Sequence, residues 1–273
     1  MPLIPERARA AQDLLAFYLE AGVDALVAEE PVDRLAAAQV ESPAGAPEPR
    51  RPLPTERPAT PPPRAQPDSA PAAPEIAVMA AREAARSAAS LAALREILST
   101  FEGCALRRTA KQLVFADGNP QGRVMFVGEA PGREEDDEGL PFVGPSGRLL
   151  DQMMAAIGLN RTTAYIANII PWRPPGNRTP TPQESQICLP FLQRQIELAD
   201  PDILVCLGAA AVQGLLGAKE GIRRVRGRWF TFPTGTREIR ALATYHPAYL
   251  LRQPIEKRFA WRDFLAIKKA LEG

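Results

Sequence analysis

The sequence predicts an α/β fold, a three-layer α/β/α sandwich around a central, mostly parallel sheet. Short apolar runs at 124–127, 164–167 and 203–207 are each followed by a helical pattern, as parallel strands with crossover helices require. Each run gives way to a glycine or a turn former, at Gly128, Asn168 and Gly208. The chain of 273 residues allows one or two domains.

Residues 6–28 read as a helix, with Leu14, Phe17, Tyr18, Ala21 and Ala25 recurring at three to four residues. Residues 43–74 hold twelve prolines among Ala, Arg and Glu, too few apolar side chains to form a core, and predict an extended linker. The expected organisation is a helical segment at 1–42, a Pro/Ala-rich disordered linker at 43–75 and a folded domain at 76–273. That domain opens on an alanine-rich helix from 76 to 101, striped by Leu91, Leu94, Leu98 and Phe101. After the strand at 124–127 comes a glycine-rich acidic loop, GEAPGREEDDEGLPFVGPSG, then a helix at 147–157. The strand at 164–167 leads to an irregular proline-rich loop. Thr181, Pro182 and Glu184 then supply an N-cap, a first-turn proline and a capping-box acid for a helix to about Ala199. A strand at 203–207 precedes a helix from Ala209. Residues 229–232 and 239–244 form a hairpin around Pro233–Thr236, and an amphipathic helix at 257–271 closes the chain.

Composition narrows the function. Net charge is +1 over the whole chain, but from Ala218 to Gly273 thirteen Lys/Arg stand against five Asp/Glu, which points to a polyanionic partner on one side. Cys104, Cys188 and Cys206 without a secretory leader suggest a reducing cytoplasm, and no apolar run approaches the length of a membrane span. Gly128 and Gly132 allow sharp turns, and Pro131 stiffens the segment between them. The acids from Glu134 to Glu138 argue against a phosphate cradle and for an acid-bearing pocket with an aromatic wall at Phe142. Strand ends at Gly128-Glu129, Asn168 and His246, the only histidine, converge on one crevice in such folds.

Together Gly128–Gly132, Glu135-Asp136, Pro141–Gly144, Asn168, Arg173–Arg178 and the His246-Pro-Ala-Tyr-Leu-Leu251 motif resemble the family 4 uracil-DNA glycosylases, in order, over about residues 101–270. The resemblance implies cleavage of the N-glycosidic bond of a flipped-out uracil in DNA, leaving an abasic site. It places Phe142 on the base, Asn168 at its N3–H and O4 edge, and Gly128 and Ala130 beside it. His246 would donate to O2 of the leaving base. Glu129 would orient water, with Asp136 a second acid, and Glu135 would fill the space beside C5. Arg223, Arg224, Arg226, Arg228 and Arg252 are expected on DNA phosphates, along with Lys257 and Arg258, and Leu250 or Leu251 as the apolar wedge.

One departure from the resemblance stands out. Family members hold a [4Fe–4S] cluster on four cysteines, but here Phe101 and Trp172 occupy two of those positions and only Cys104 and Cys188 remain. The expectation is no metal and no cofactor, with aromatic packing in the vacated volume. Two other functions compete with turnover: a tight uracil-DNA binder, and a non-catalytic DNA-binding or scaffold protein. The absence of a histidine in 171–182 argues against the first, and the intact Glu129, Phe142, Asn168 and His246 against the second. A monomer in the bacterial cytoplasm, with a protein partner for the N-terminal helix, completes the expectation.

Overall fold

The computed structural model describes residues 74–272. The expected helix at 6–28 and the linker up to residue 73 lie outside the described residues. Pro74 and Glu75, expected in the linker, belong to a helix.

The elements are α1 (Pro74–Ser87), α2 (Leu91–Thr100), β1 (Asp117–Gly118), β2 (Val124–Gly128), α3 (Arg133–Glu138), α4 (Pro145–Ala155), β3 (Ala164–Asn168), α5 (Pro182–Ala199), β4 (Ile203–Leu207), α6 (Ala209–Leu216), α7 (Ile222–Val225), β5 (Trp229–Pro233), β6 (Glu238–Thr244), α8 (Pro247–Arg252) and α9 (Lys257–Glu272). The sheet order is β1-β3-β2-β4-β6-β5. β3, β2, β4 and β6 are parallel, and both edge strands, β1 and β5, are antiparallel to their neighbours. The sheet is therefore mostly parallel, as expected.

The central strands β2, β3 and β4 are buried at every position, and their side chains alternate between two cores. Met125, Val127, Tyr165, Ala167, Leu204 and Cys206 pack with α1, α2, α5 and α6. Val124, Phe126, Ile166, Ile203 and Val205 pack with Leu150 and Met154 of α4 and with Phe264 and Ile267 of α9. Helices on both faces of a parallel sheet explain why these runs are apolar throughout.

Three local expectations change. The single helix at 76–101 breaks at Ala88–Ser90, where Ser90 caps α2 by accepting from the Ala93 N–H at 3.2 Å. The acidic loop contains the short helix α3, whose first turn carries Glu134, Glu135 and Asp136, where the helix dipole favours them. Residues 222–225 and 247–252, outside the elements expected from the sequence, are helical. Thr181 and Glu184 form the expected capping box at the start of α5.

Candidate active site

The carboxyl ends of β2, β3 and β6 open on a crevice of about 650 Å³. Its walls include Glu129, Ala130, Glu135, Phe142, Asn168 and His246, joined by Arg252 at the rim. Strand-end residues meet here because parallel strands deliver their C-terminal connections to one edge of the sheet. Ile169 and Ile170 donate to the carbonyls of Gly128 and Glu129, both at 3.0 Å, so β2 and β3 leave the sheet in register.

Gly128 is required by close approach. A Cβ there would stand 2.5 Å from both Asn168 Oδ1 and Phe142 Cζ. Phe142 has left-handed backbone, φ 56°, a conformation that costs a non-glycine residue on the order of 1–3 kcal/mol. Its ring is buried and lies 5.5 Å from the His246 ring at an interplanar angle of 28°. Gly147, at the start of α4, makes room for this turn, since a Cβ would fall 1.6 Å from the Phe142 carbonyl oxygen.

Asn168 is 5% exposed, and its Oδ1 is the one buried side-chain oxygen or nitrogen without a hydrogen-bond partner among the described residues. Such an atom costs about 1–3 kcal/mol to desolvate, a cost that a donor on a bound ligand offsets. His246 caps α8, and its Nδ1 accepts from the Ala248 N–H at 3.1 Å. The proton of the neutral ring therefore sits on Nε2, which is a donor. Burial, with a smaller contribution from the Arg252 charge, holds its pKa down at about 4, against an opposing effect of Glu135. Glu129 is half-buried, and burial raises its carboxyl above the ordinary range.

Glu135 lines the crevice with its carboxylate fully occupied. Oε2 accepts from Gly132 N–H at 2.9 Å, and Oε1 from Val143 and Gly144 N–H at 3.1 and 3.0 Å. It thus ties α3 to the turn that carries Phe142. Asp136 is a correction to the expected second acid. It is 2% exposed, lies outside the crevice lining, and accepts from the backbone of Lys111 and Gln112, with Arg173 at 3.9 Å.

The expected DNA contacts also divide. Arg223, Arg224, Arg228 and Arg252 are exposed, as are Lys257 and Arg258. Arg223 donates to Tyr249 Oη at 3.0 Å, and Arg228 pairs with Glu220 at 3.2 Å. Arg226 is a correction: it is bound to the buried Asp263 and donates to the Phe259 carbonyl, so a structural ion pair uses its charge. Leu250 is a second correction, being fully buried with Leu149, Tyr245 and Ala260. Leu251 is the exposed leucine of the motif, at 42%. A rotation of about 100° per helical residue turns these neighbours to different faces of α8, which the letters alone do not resolve. Tyr249, Asn177 and Arg178 also line the crevice, and they sit inside the two motifs already singled out.

The cysteine positions test the cluster. Cys104 and Cys188 are buried with their Sγ atoms 3.9 Å apart. Trp172 is 2% exposed, and Phe101 packs edge-on against Phe191 at 4.9 Å. Cys206 is buried in β4, where burial pushes its thiol pKa up. The Glu102 side chain is 89% exposed. No group of three or more His, Cys, Asp or Glu able to hold a metal occurs among the described residues. This donor set does not fit a cluster that needs a ligand on each of four irons. No helix among the described residues is long and apolar enough to cross a membrane.

Fold and crevice together define an α/β/α protein whose strand ends gather an aromatic wall, a buried unpartnered acceptor and a neutral histidine around one crevice. The uracil DNA glycosylase superfamily profile matches residues 115–265, more than half of the chain. The chain is 42% identical over 178 residues to a type-4 uracil-DNA glycosylase of Archaeoglobus fulgidus, covering 64% of this chain and 89% of that protein. Over 150 residues it is 44% identical to one of Thermotoga maritima, covering 55% and 77%, and over 185 residues 37% identical to one of Sulfurisphaera tokodaii, covering 66% and 84%. The chain belongs to the uracil DNA glycosylase superfamily.

Proposed function

We propose that this chain hydrolyses the N-glycosidic bond of a flipped-out uracil in DNA, as a DNA-repair glycosylase of the type-4 group. The observation that carries the reading is the unpartnered Oδ1 of Asn168 beside Phe142 and a neutral Nε2–H of His246. Uracil presents an N3–H donor to that acceptor and O4 to the amide nitrogen of Asn168, while its face rests on Phe142. Cytosine presents a lone pair at N3 and a donor at C4, leaving buried groups unpaired.

As the C1′–N1 bond breaks, its electron pair moves onto the base, and His246 Nε2–H donates to O2, where negative charge grows. Glu129 orients water toward C1′ and takes its proton as the C1′–O bond forms. Its raised carboxyl pKa suits it to accept that proton. Arg223, Arg224 and Arg252 hold phosphates, and Leu251 fills the gap left by the flipped base. The protein acts as a monomer and without iron, aromatic packing of Phe101 and Trp172 replacing two cluster ligands. Residues 74–273 carry the activity, and the segment before them engages a protein partner.

The test is incubation with uracil-containing DNA, then alkaline cleavage at abasic sites. Strand breaks at uracil are expected, from the whole chain and from a truncation that starts at residue 74. A covalently retained DNA or an uncleaved substrate overturns the turnover reading. Anaerobic purification followed by iron and sulfide quantification should find neither. A brown protein with about four irons, one for each corner of a cubane, would refute the packing account.

A further inference from the structure

We propose that Arg161 is the positioning residue for the aromatic wall, setting the backbone angles of Phe142 and so where its ring meets the base. The proposal rests on the uracil reading of the crevice.

Arg161 lies between α4 and β3, outside every sequence motif and outside the crevice lining. Its side chain is 25% exposed. Nη1 donates to the Pro141 carbonyl at 3.1 Å and Nη2 to the Phe142 carbonyl. These carbonyls belong to the two peptide planes that bracket the Phe142 Cα, so holding both on one guanidinium fixes φ and ψ of that residue. The second plane is held at its other end too, because Glu135 Oε1 accepts from Val143 N–H at 3.1 Å. A cation on the carbonyls and an anion on the amides keep Phe142 in left-handed backbone that it would otherwise leave.

The guanidinium itself is fixed. Asp151 of α4 accepts from Nε at 2.9 Å, and Asp117 of β1 accepts from Nη1. Five planar donors in a fork suit this arrangement, whereas a lysine ammonium cannot span two carbonyls and two carboxylates. The ring that Arg161 thereby places is the one stacked on His246 and pressed to Gly128. Displacement of a substrate-orienting group by about 1 Å costs on the order of 100-fold in rate.

The experiment compares the parental chain with Arg161→Ala and Arg161→Lys, and with Trp172→Ala as a destabilised control. Single-turnover excision at saturating uracil-DNA, affinity for uracil-free DNA and the thermal midpoint are read for each. Both Arg161 variants should lose about 10- to 100-fold in the saturated rate while keeping affinity for uracil-free DNA. Millimolar guanidinium, but not ammonium, should restore part of the rate to Arg161→Ala. Rates equal to the parental in Arg161→Lys overturn the proposal, as does a loss that disappears once the rate is expressed per folded molecule, as any loss in the control should. If Arg161→Ala does not fold, the lysine variant decides alone. A parental chain that releases no uracil overturns the uracil reading instead, so the two failures are told apart.

Discussion

Asn168 and Trp172 are four residues apart in the chain, and their surroundings are opposites. Around Asn168 a buried acceptor has no donor, a phenylalanine holds left-handed backbone and a histidine is kept neutral. Around Trp172 the indole is buried in the larger core with Cys104 and Cys188, beside the edge-on pair of Phe101 and Phe191. The first region stores unmet interactions, and the second leaves almost none. Unmet polar groups and strain persist only where something restores the balance, and the base proposed to bind there would do so at Asn168. At Trp172 the buried indole and its core neighbours fill the volume.

The largest effect should come from the unmet side. Asn168→Ala and His246→Ala should each lower single-turnover excision about 100- to 1,000-fold. Asn168→Ala removes an unpartnered buried acceptor, so its thermal midpoint should stay level or rise. A midpoint that falls sharply would show that Asn168 holds the fold, and the contrast with Trp172 would collapse.

On the filled side the signs reverse. Trp172→Ala should cost roughly 3–5 kcal/mol of stability, read by denaturant unfolding, while each folded molecule keeps its excision rate. Loss of rate without loss of stability would place Trp172 in the site.

The smallest effect is in the pH dependence. His246 in the fold titrates near 4, below the ordinary value of 6.5, so no rate change belongs to it between pH 8 and 6. Glu129 must be ionised to act, and its carboxyl is raised. The rate should therefore begin to fall with acid above the usual carboxylate range, and Glu129→Gln should remove that limb. Stability follows from the same histidine. Between pH 6.5 and 4 the unfolded chain takes the proton first, so stability is full above 6.5 and declines by up to about 3 kcal/mol as pH falls toward 4. His246→Gln should abolish this slope in unfolding measurements.

Much of this was legible in the letters. Apolar runs located β2, β3 and β4, Thr181 and Glu184 marked the start of α5, and the motifs named the crevice residues. Asp136 and Arg226 were not legible as structural groups, because a carboxylate or guanidinium in a charge-rich run reads the same whether solvent or a buried partner receives it. Leu250 and Leu251 are chemically identical neighbours, and only the face of α8 distinguishes them. Arg161 carries no motif at all.

By itself, then, the sequence determined what kind of elements form and which residue types stand at their ends, since periodicity, caps and strand-ending glycines act over a few residues. Tertiary structure alone decided which charges are spent on the backbone and which remain for a ligand. Glu135 reaches the amides of Val143 and Gly144, and Arg161 reaches the carbonyls of Pro141 and Phe142 across 20 and 19 residues. Those contacts depend on how α3, α4 and β3 pack, and no local pattern encodes that.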